Sequence, residues 1–237
     1  MRTIYKKELA SYFRSPIAYC IMGFFMIIVG YSFWNNSIYQ GSSKFSDTLG
    51  TSGVYLTFVI PIITMRLLAD EKKNGTEILL RTSPVPMWKI IMGKYFSALT
   101  LYLVMMLLTL IYPLMIVFLA EGDGVFAHAQ DFSSFLGFFL LGMSYIAVSL
   151  FVSSFTEIQS VAAISGIVSL VGLFSLQYAG MSLGGTAGEI MQWIAPLSRY
   201  SDFAVGAFNV ASLIFYITFS GMFVFLTYIN VERRRWN

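Results

Sequence analysis

Few side chains in this sequence have the types and spacing that chemistry needs. Glu121, Asp123, His128 and Asp131 fall within the run EGDGVFAHAQD, and three carboxylates with an imidazole are donors a metal or proton site would use. A solvated, lysine-free segment carries the same residues for a plainer reason, and we assign no metal to it. The glycines of GGTAGE, residues 184–189, resemble a phosphate-binding loop but lack the Lys and Ser/Thr of G-x-x-x-x-G-K-[ST]. No H-E-x-x-H pair occurs, and no nucleophile elbow of the G-x-S-x-G kind is expected. Cys20 is the single cysteine, so an internal disulfide and a Cys/His metal cluster are both excluded. No catalytic residue, metal ligand or cofactor is assigned to this chain.

What remains is one charged island. The stretch Met65 to Lys94, MRLLADEKKNGTEILLRTSPVPMWKIIMGK, holds six of the fifteen Lys and Arg residues and three of the twelve acids. Apolar runs flank it, which predicts a water-facing loop pinned between two membrane helices and offering a contact surface. Asn74 followed three positions later by Glu77 is the pattern of a capped helix start, and Ser83-Pro84-Val85-Pro86 is a stop. The spacing predicts a short helix over 75–82, with Ile78, Leu79 and Leu80 on an apolar side and Glu77 paired to Arg81 at i, i+4. So short a helix is marginal alone in water. Docking would hold it, onto its own membrane helices or into a partner's groove.

The elements that position the island follow from composition. Of 237 residues, 57% are hydrophobic and 11% charged, against about a quarter charged in soluble domains. The expected fold is all-α integral membrane. Five uncharged stretches exceed the roughly 20 residues that cross about 30 Å of hydrocarbon, and a sixth, shorter candidate runs from about Val54 to Leu68. They predict six spans, at about 16–34, 53–69, 88–119, 133–154, 159–179 and 208–230, within one domain covering residues 1–237. An even number places both ends on one side. Putting the ends and the island in the cytoplasm gathers thirteen of the fifteen cations there and leaves only Lys44 and Arg199 outside. The acidic run at 121–131 then lies outside, as charge sorting alone requires. The net charge of +3 therefore reports topology and gives no support to nucleic-acid binding.

Residues 2–14 place Tyr5, Leu9, Tyr12 and Phe13 on one helical face, a basic amphipathic helix for the inner interface. The apolar run after Pro16 reaches Trp34 with no A-x-A-like site, so it is expected to be retained as the first span. Gly23, Ile27 and Gly30 share a face there, and Ala162, Gly166 and Ser169 recur in the fifth span; both are small-residue faces for packing within or between subunits. The polar stretch Asn35 to Ser52 is expected to be a connector. Pro113 is expected to kink the long third span. Residues 180–208 predict a short outer helix ended by Pro196, surface-lying or re-entrant, with a second at about 199–206. Ionisable groups within the spans, the mark of an ion relay, are nearly absent: Arg66 and Glu157 sit at span ends. Energy or control must then arrive through a cytoplasmic partner.

Three blocks carry a family resemblance: KKELASYFRSP at 6–16, PIITMRLLADEKKNGTEILLRTSPVPMWKIIMGKY at 61–95, and APLSRYSDFAVGAF before the final basic stop. The chain resembles the ABC-2 type permeases, the membrane subunits of one class of ABC exporters, and most resembles the short gliding-motility-type subgroup. Asp70 stands where Glu is more usual, and Asn74 where a cation is common. The resemblance implies a coupling helix between spans two and three that docks in an ATPase subunit, here Gly75, Thr76, Glu77, Ile78, Leu79, Leu80 and Arg81, framed by Asp70, Glu71, Lys72, Lys73 and Asn74. It implies two ABC ATPase subunits carrying ATP and Mg, and a second permease subunit, identical or homologous, met by spans one and five through Gly23, Ile27, Gly30, Ala162, Gly166 and Ser169. It further implies the cell inner (plasma) membrane, with lipid around the spans. Phe24, Phe25, Phe138, Tyr145 and Phe174 would line a route for an amphipathic or hydrophobic substrate. The alternative is a non-transporting membrane anchor that recruits a cytoplasmic partner through residues 66–94.

Overall fold

A computed structural model of the chain describes residues 1–40, 44–73, 75, 85–119 and 128–233, and all regular structure among them is helical. The elements are α1 (Arg2–Arg14), α2 (Pro16–Phe33) with a π-helical extension Trp34–Tyr39, α3 (Phe45–Lys73), α4 (Met87–Leu108), α5 (Ile111–Leu119), α6 (His128–Ser153), α7 (Gln159–Leu183), α8 (Gly185–Ile194), α9 (Pro196–Ala204) and α10 (Val210–Arg233). Six stretches among the described residues are long and apolar enough to cross a membrane: Pro16–Tyr39, Phe45–Asp70, Met87–Ile116, Gln130–Ser153, Gln159–Leu183 and Val210–Arg233. The all-α, six-span membrane fold expected from charge spacing is present. Helices α3 and α6 form its axis. Each is 67% buried over its span, against 17% for α7 at the periphery. Helix α3 packs on α6, α7 and α2, and α6 also meets α10, α9 and α4.

Two boundaries differ from expectation for physical reasons. Helix α3 begins at Phe45 rather than near 53. Phe45, Leu49 and Ser52 turn one face inward and are buried, and a Cβ on Gly50 or Gly53 would meet the Tyr200 ring at 3.5 Å or Leu197 at 3.3 Å. The Gly/Ser-rich composition thus serves close packing. In the third span the helix breaks at Thr109 and Leu110, not at Pro113. Proline has no N–H for the carbonyl four residues back, at Thr109, and a tighter turn replaces that bond, with Tyr112 N donating to Thr109 O at 3.1 Å.

Helices seat on one another by a repeated device. The Tyr102 hydroxyl of α4 donates to the Phe138 carbonyl of α6 at 2.8 Å, and its ring occupies the space a Cβ on Gly142 would need. The Tyr112 hydroxyl of α5 donates to the Met26 carbonyl of α2 at 2.7 Å, and lies 2.8 Å from where a Cβ on Gly30 would stand. In both cases the accepting carbonyl is four residues before the glycine, so no side chain shields it from the incoming hydroxyl.

At the opposite end of the bundle from α1, α7 turns through Gly184 (φ 58°) and Gly185 (φ 63°) into α8, which packs back along α7. Gly180 and Gly188 form the crossing, where a Cβ on Gly188 would lie 2.5 Å from the Gly180 carbonyl oxygen. Backbone faces backbone, so no side chain can yield. Gly188→Ala is expected to lift α8 from α7 and cost about 1–3 kcal/mol, read as a lower melting temperature. Gly172→Ala in α7, whose Cβ meets nothing within 4 Å, is not expected to lower that temperature. Pro196 does end α8's neighbourhood, but it also opens α9 as its first residue, earlier than the second outer helix was expected.

Candidate functional site

The described ends of the island are helix, not loop: Met65–Lys73 closes α3 and Met87–Lys94 opens α4. Lys94 lies two turns into α4 at 1% exposure, among Ile90, Ile91, Tyr95 and Ala98. Its Nζ donates to Glu8 Oε1 at 3.1 Å and to the Leu67 carbonyl of α3. A buried ammonium is tolerable only with such partners. This corrects the expectation that ionisable groups in the spans sit at their ends.

Helix α1 supplies the other half of the site. Its sequence puts Tyr5, Glu8 and Tyr12 on one face, while Arg2, Lys6, Lys7, Ser11 and Arg14 are exposed. Tyr5 shares a hydrogen bond with Thr100 Oγ1 at 2.9 Å, and the Tyr12 hydroxyl donates to the Ile63 carbonyl at 2.7 Å. Gly93 admits α1, since a Cβ there would lie 3.2 Å from Ile4 Cγ2. Burial, with the Glu8 carboxylate nearby, raises the Tyr12 phenol well above its ordinary pKa, so it remains a neutral donor. At the joint, Ser15 is extended because Pro16 follows it, and its Oγ accepts from Arg66 Nη1 at 3.1 Å. Arg66 Nε also donates to Asp70 Oδ2 at 3.3 Å. One polar knot therefore fastens α1 to the end of α3 and the start of α4.

The expected site residues fall out unevenly. Asp70 is engaged by Arg66 within the subunit, Lys73 is exposed at the end of α3, and Glu71 and Lys72 continue that helix with their side chains outside the described set. Asn74, Thr76, Glu77, Ile78, Leu79, Leu80 and Arg81 lie outside the described residues, and so does nearly all of the helix expected over 75–82. Gly75 is described, and it is not helical. With φ at 67° it takes the left-handed conformation that commonly follows a helix C-terminus, two residues beyond Lys73, where α3 ends.

On the two small-residue faces, Gly23 and Ile27 are open to the exterior, whereas Gly30 is covered by Tyr112. Ala162 is buried, Gly166 would bring a Cβ to 3.0 Å from both Pro61 and Ser149, and Ser169 donates to the Ser165 carbonyl. The face of α7 carrying Ala162 and Gly166 thus seats that helix on α3 and α6 of its own subunit. Phe25, Phe138 and Tyr145 are fully buried in the core and line no open route, while Phe24 is exposed.

Contrary to expectation, a G-x-S-x-G spelling does occur, at Gly180-Met181-Ser182-Leu183-Gly184. Ser182, however, sits in the last turn of α7 and donates to the Tyr178 carbonyl at 2.8 Å, which is helix geometry and not a strand-to-helix elbow. Among the described residues no group of three His, Cys, Asp or Glu could hold a metal ion. Sequence reasoning missed Glu8, Tyr12 and Lys94 as a unit. The signal was there in part: Lys94 has apolar residues at i−4, i−3, i+1 and i+4, a core pattern that Lys89 lacks.

The six long apolar helices define the class, a multi-pass membrane protein. The chain belongs to the ABC-2 family of transporter proteins: residues 35–229 match the family described as ABC-2 family transporter protein. The match is to the family as a whole and does not distinguish the gliding-motility-type subgroup. Comparison with curated proteins gives no match. Members of this family are membrane subunits of ABC transporters, implying an ABC ATPase partner and typically a paired permease.

Proposed function

We propose that this chain is the permease subunit of an ATP-driven exporter, with two copies of a separate ABC ATPase holding ATP and Mg, and a second permease copy, identical or homologous. The observation that supports it most is the knot. The segment 74–86 is strung between α3 and α4, and Glu8, Lys94, Arg66 and Ser15 tie both helices to α1. A push from an ATPase on that segment would move three helices as one body, which is what transmission requires. Residues 70–81 are the proposed docking stretch, and the open face of α2 at Gly23 and Ile27 is the proposed contact with the second permease. The excess of cations at the α1 end supports an orientation with both termini and this stretch in the cytoplasm, and the proposed membrane is the inner (plasma) one.

The test is co-expression with the ATPase encoded nearby, reconstitution in vesicles, and measurement of ATP-dependent movement of amphipathic or hydrophobic substrates. Complex formation without any ATP-dependent turnover would favour the anchoring alternative. Gly75→Pro forces φ from 67° to about −65°, and Leu79→Asp charges the proposed apolar side. Both are expected to uncouple ATP hydrolysis from transport while six spans still insert. Normal transport by both variants would remove residues 75–82 from the mechanism.

A further inference from the structure

Arg199 is one of two cations that charge sorting leaves at the far end of the bundle, and the proposed function gives it no task. It lies on α9, with its guanidinium carbon 5.2 Å from the Trp193 ring of α8 and 5.3 Å from the Phe215 ring of α10. Those rings meet edge to face with centroids 6.0 Å apart, so the cation sits in the corner between them. Asp202 is three positions further along the same helix, a spacing at which ion pairs form. Here they do not pair. Asp202 Oδ2 accepts instead from Asn209 Nδ2 at 3.1 Å and Ser212 Oγ at 2.8 Å.

The consequence is a guanidinium oriented by two π-faces and not by its own hydrogen bonds. Cation–π attraction holds the charge but uses none of its five N–H donors. Beside it, Ile190, Trp193 and Ile194 of α8 form an exposed apolar flank of a kind that faces acyl chains. A partner for this site must bring an oxyanion to the membrane boundary with hydrocarbon attached. The planar fork of arginine matches two oxygens of a phosphodiester, and with Asp202 engaged by Asn209 and Ser212 the unpaired cation favours a headgroup that brings no choline cation of its own.

We infer that Arg199, set by Trp193 and Phe215, binds the headgroup phosphate of an anionic phospholipid whose chains lie against α8. Which leaflet supplies the lipid rests on the orientation proposed above; the binding does not.

The experiment is native mass spectrometry of the full chain in detergent, titrated with phosphatidylglycerol or phosphatidylcholine. Wild type is expected to prefer phosphatidylglycerol, and Arg199→Gln to weaken that binding by about tenfold or more. Arg199→Lys keeps the charge but not the fork and is expected to fall between them. Trp193→Leu, at an exposed position, keeps the cation but frees it and weakens binding in the same direction, so a folding defect in one variant does not decide the outcome. Lys44→Gln is expected to bind as wild type does. Equal phosphatidylglycerol binding by wild type and Arg199→Gln would overturn the inference. So would displacement of the lipid by inorganic phosphate at equal concentration, which would make the site one for a soluble oxyanion.

Discussion

Glu8→Ala is expected to destabilise the protein by about 3–5 kcal/mol, the cost of leaving a buried cation without its counter-charge. The asymmetry of the pair gives the prediction its content. Lys94 is 1% exposed and Glu8 is 15% exposed, so the ammonium cannot reach water in place and the carboxylate can. Lys94→Met should therefore cost less than Glu8→Ala, because the released Glu8 can turn outward. The double variant Glu8→Leu/Lys94→Met removes both charges and leaves a methionine among Ile90, Ile91, Tyr95 and Ala98. It should recover most of the loss, since an apolar pair of similar volume often equals or exceeds a buried ion pair. Thermal unfolding in one detergent, across the four proteins, reads the order directly. If Glu8→Ala melted with wild type, the ion pair would contribute nothing, and α1 would be held by its tyrosine hydrogen bonds and packing alone.

The same pair shows what could and could not be seen in the sequence. Spans were legible because charge is so expensive in hydrocarbon that its spacing marks five crossings outright, with the shorter apolar run before Arg66 supplying the sixth. The fate of each charge was not. Sorting arithmetic gives Lys89 and Lys94 equal weight, yet one is exposed and the other buried. Deciding between them needs Glu8, distant in sequence and brought close only by docking of α1. Small residues had the same ambiguity. Their spacing gives a face and not its occupant, so Gly166 met Pro61 within the subunit while Gly23 met nothing. Asn35 to Ser52 misled for a related reason, because glycine and serine suit a turn in water and equally a close helix crossing. The capping pattern at Asn74 and Glu77 puts Gly75 in a helix, whereas its backbone is left-handed, with φ at 67°.

Gly142→Ala should be the most damaging single-methyl change in the axis of the bundle, about 3 kcal/mol at the upper end of ordinary overpacking. The added methyl would enter the Tyr102 ring, which is itself fully buried and held at its far end by the 2.8 Å bond to the Phe138 carbonyl. The ring cannot swing away without breaking that bond inside a core where water cannot replace it. Helices α4 and α6 must separate instead. Rescue distinguishes this cause from a general loss of stability. Tyr102→Leu removes the ring and hydroxyl together and creates space of its own, so alone it should also destabilise. Combined, Gly142→Ala/Tyr102→Leu should be more stable than the sum of the two losses predicts, because each relieves the other. Strict additivity would mean that the methyl strains something other than the tyrosine, and the seating of α4 on α6 by a hydroxyl at a glycine gap would have to be abandoned.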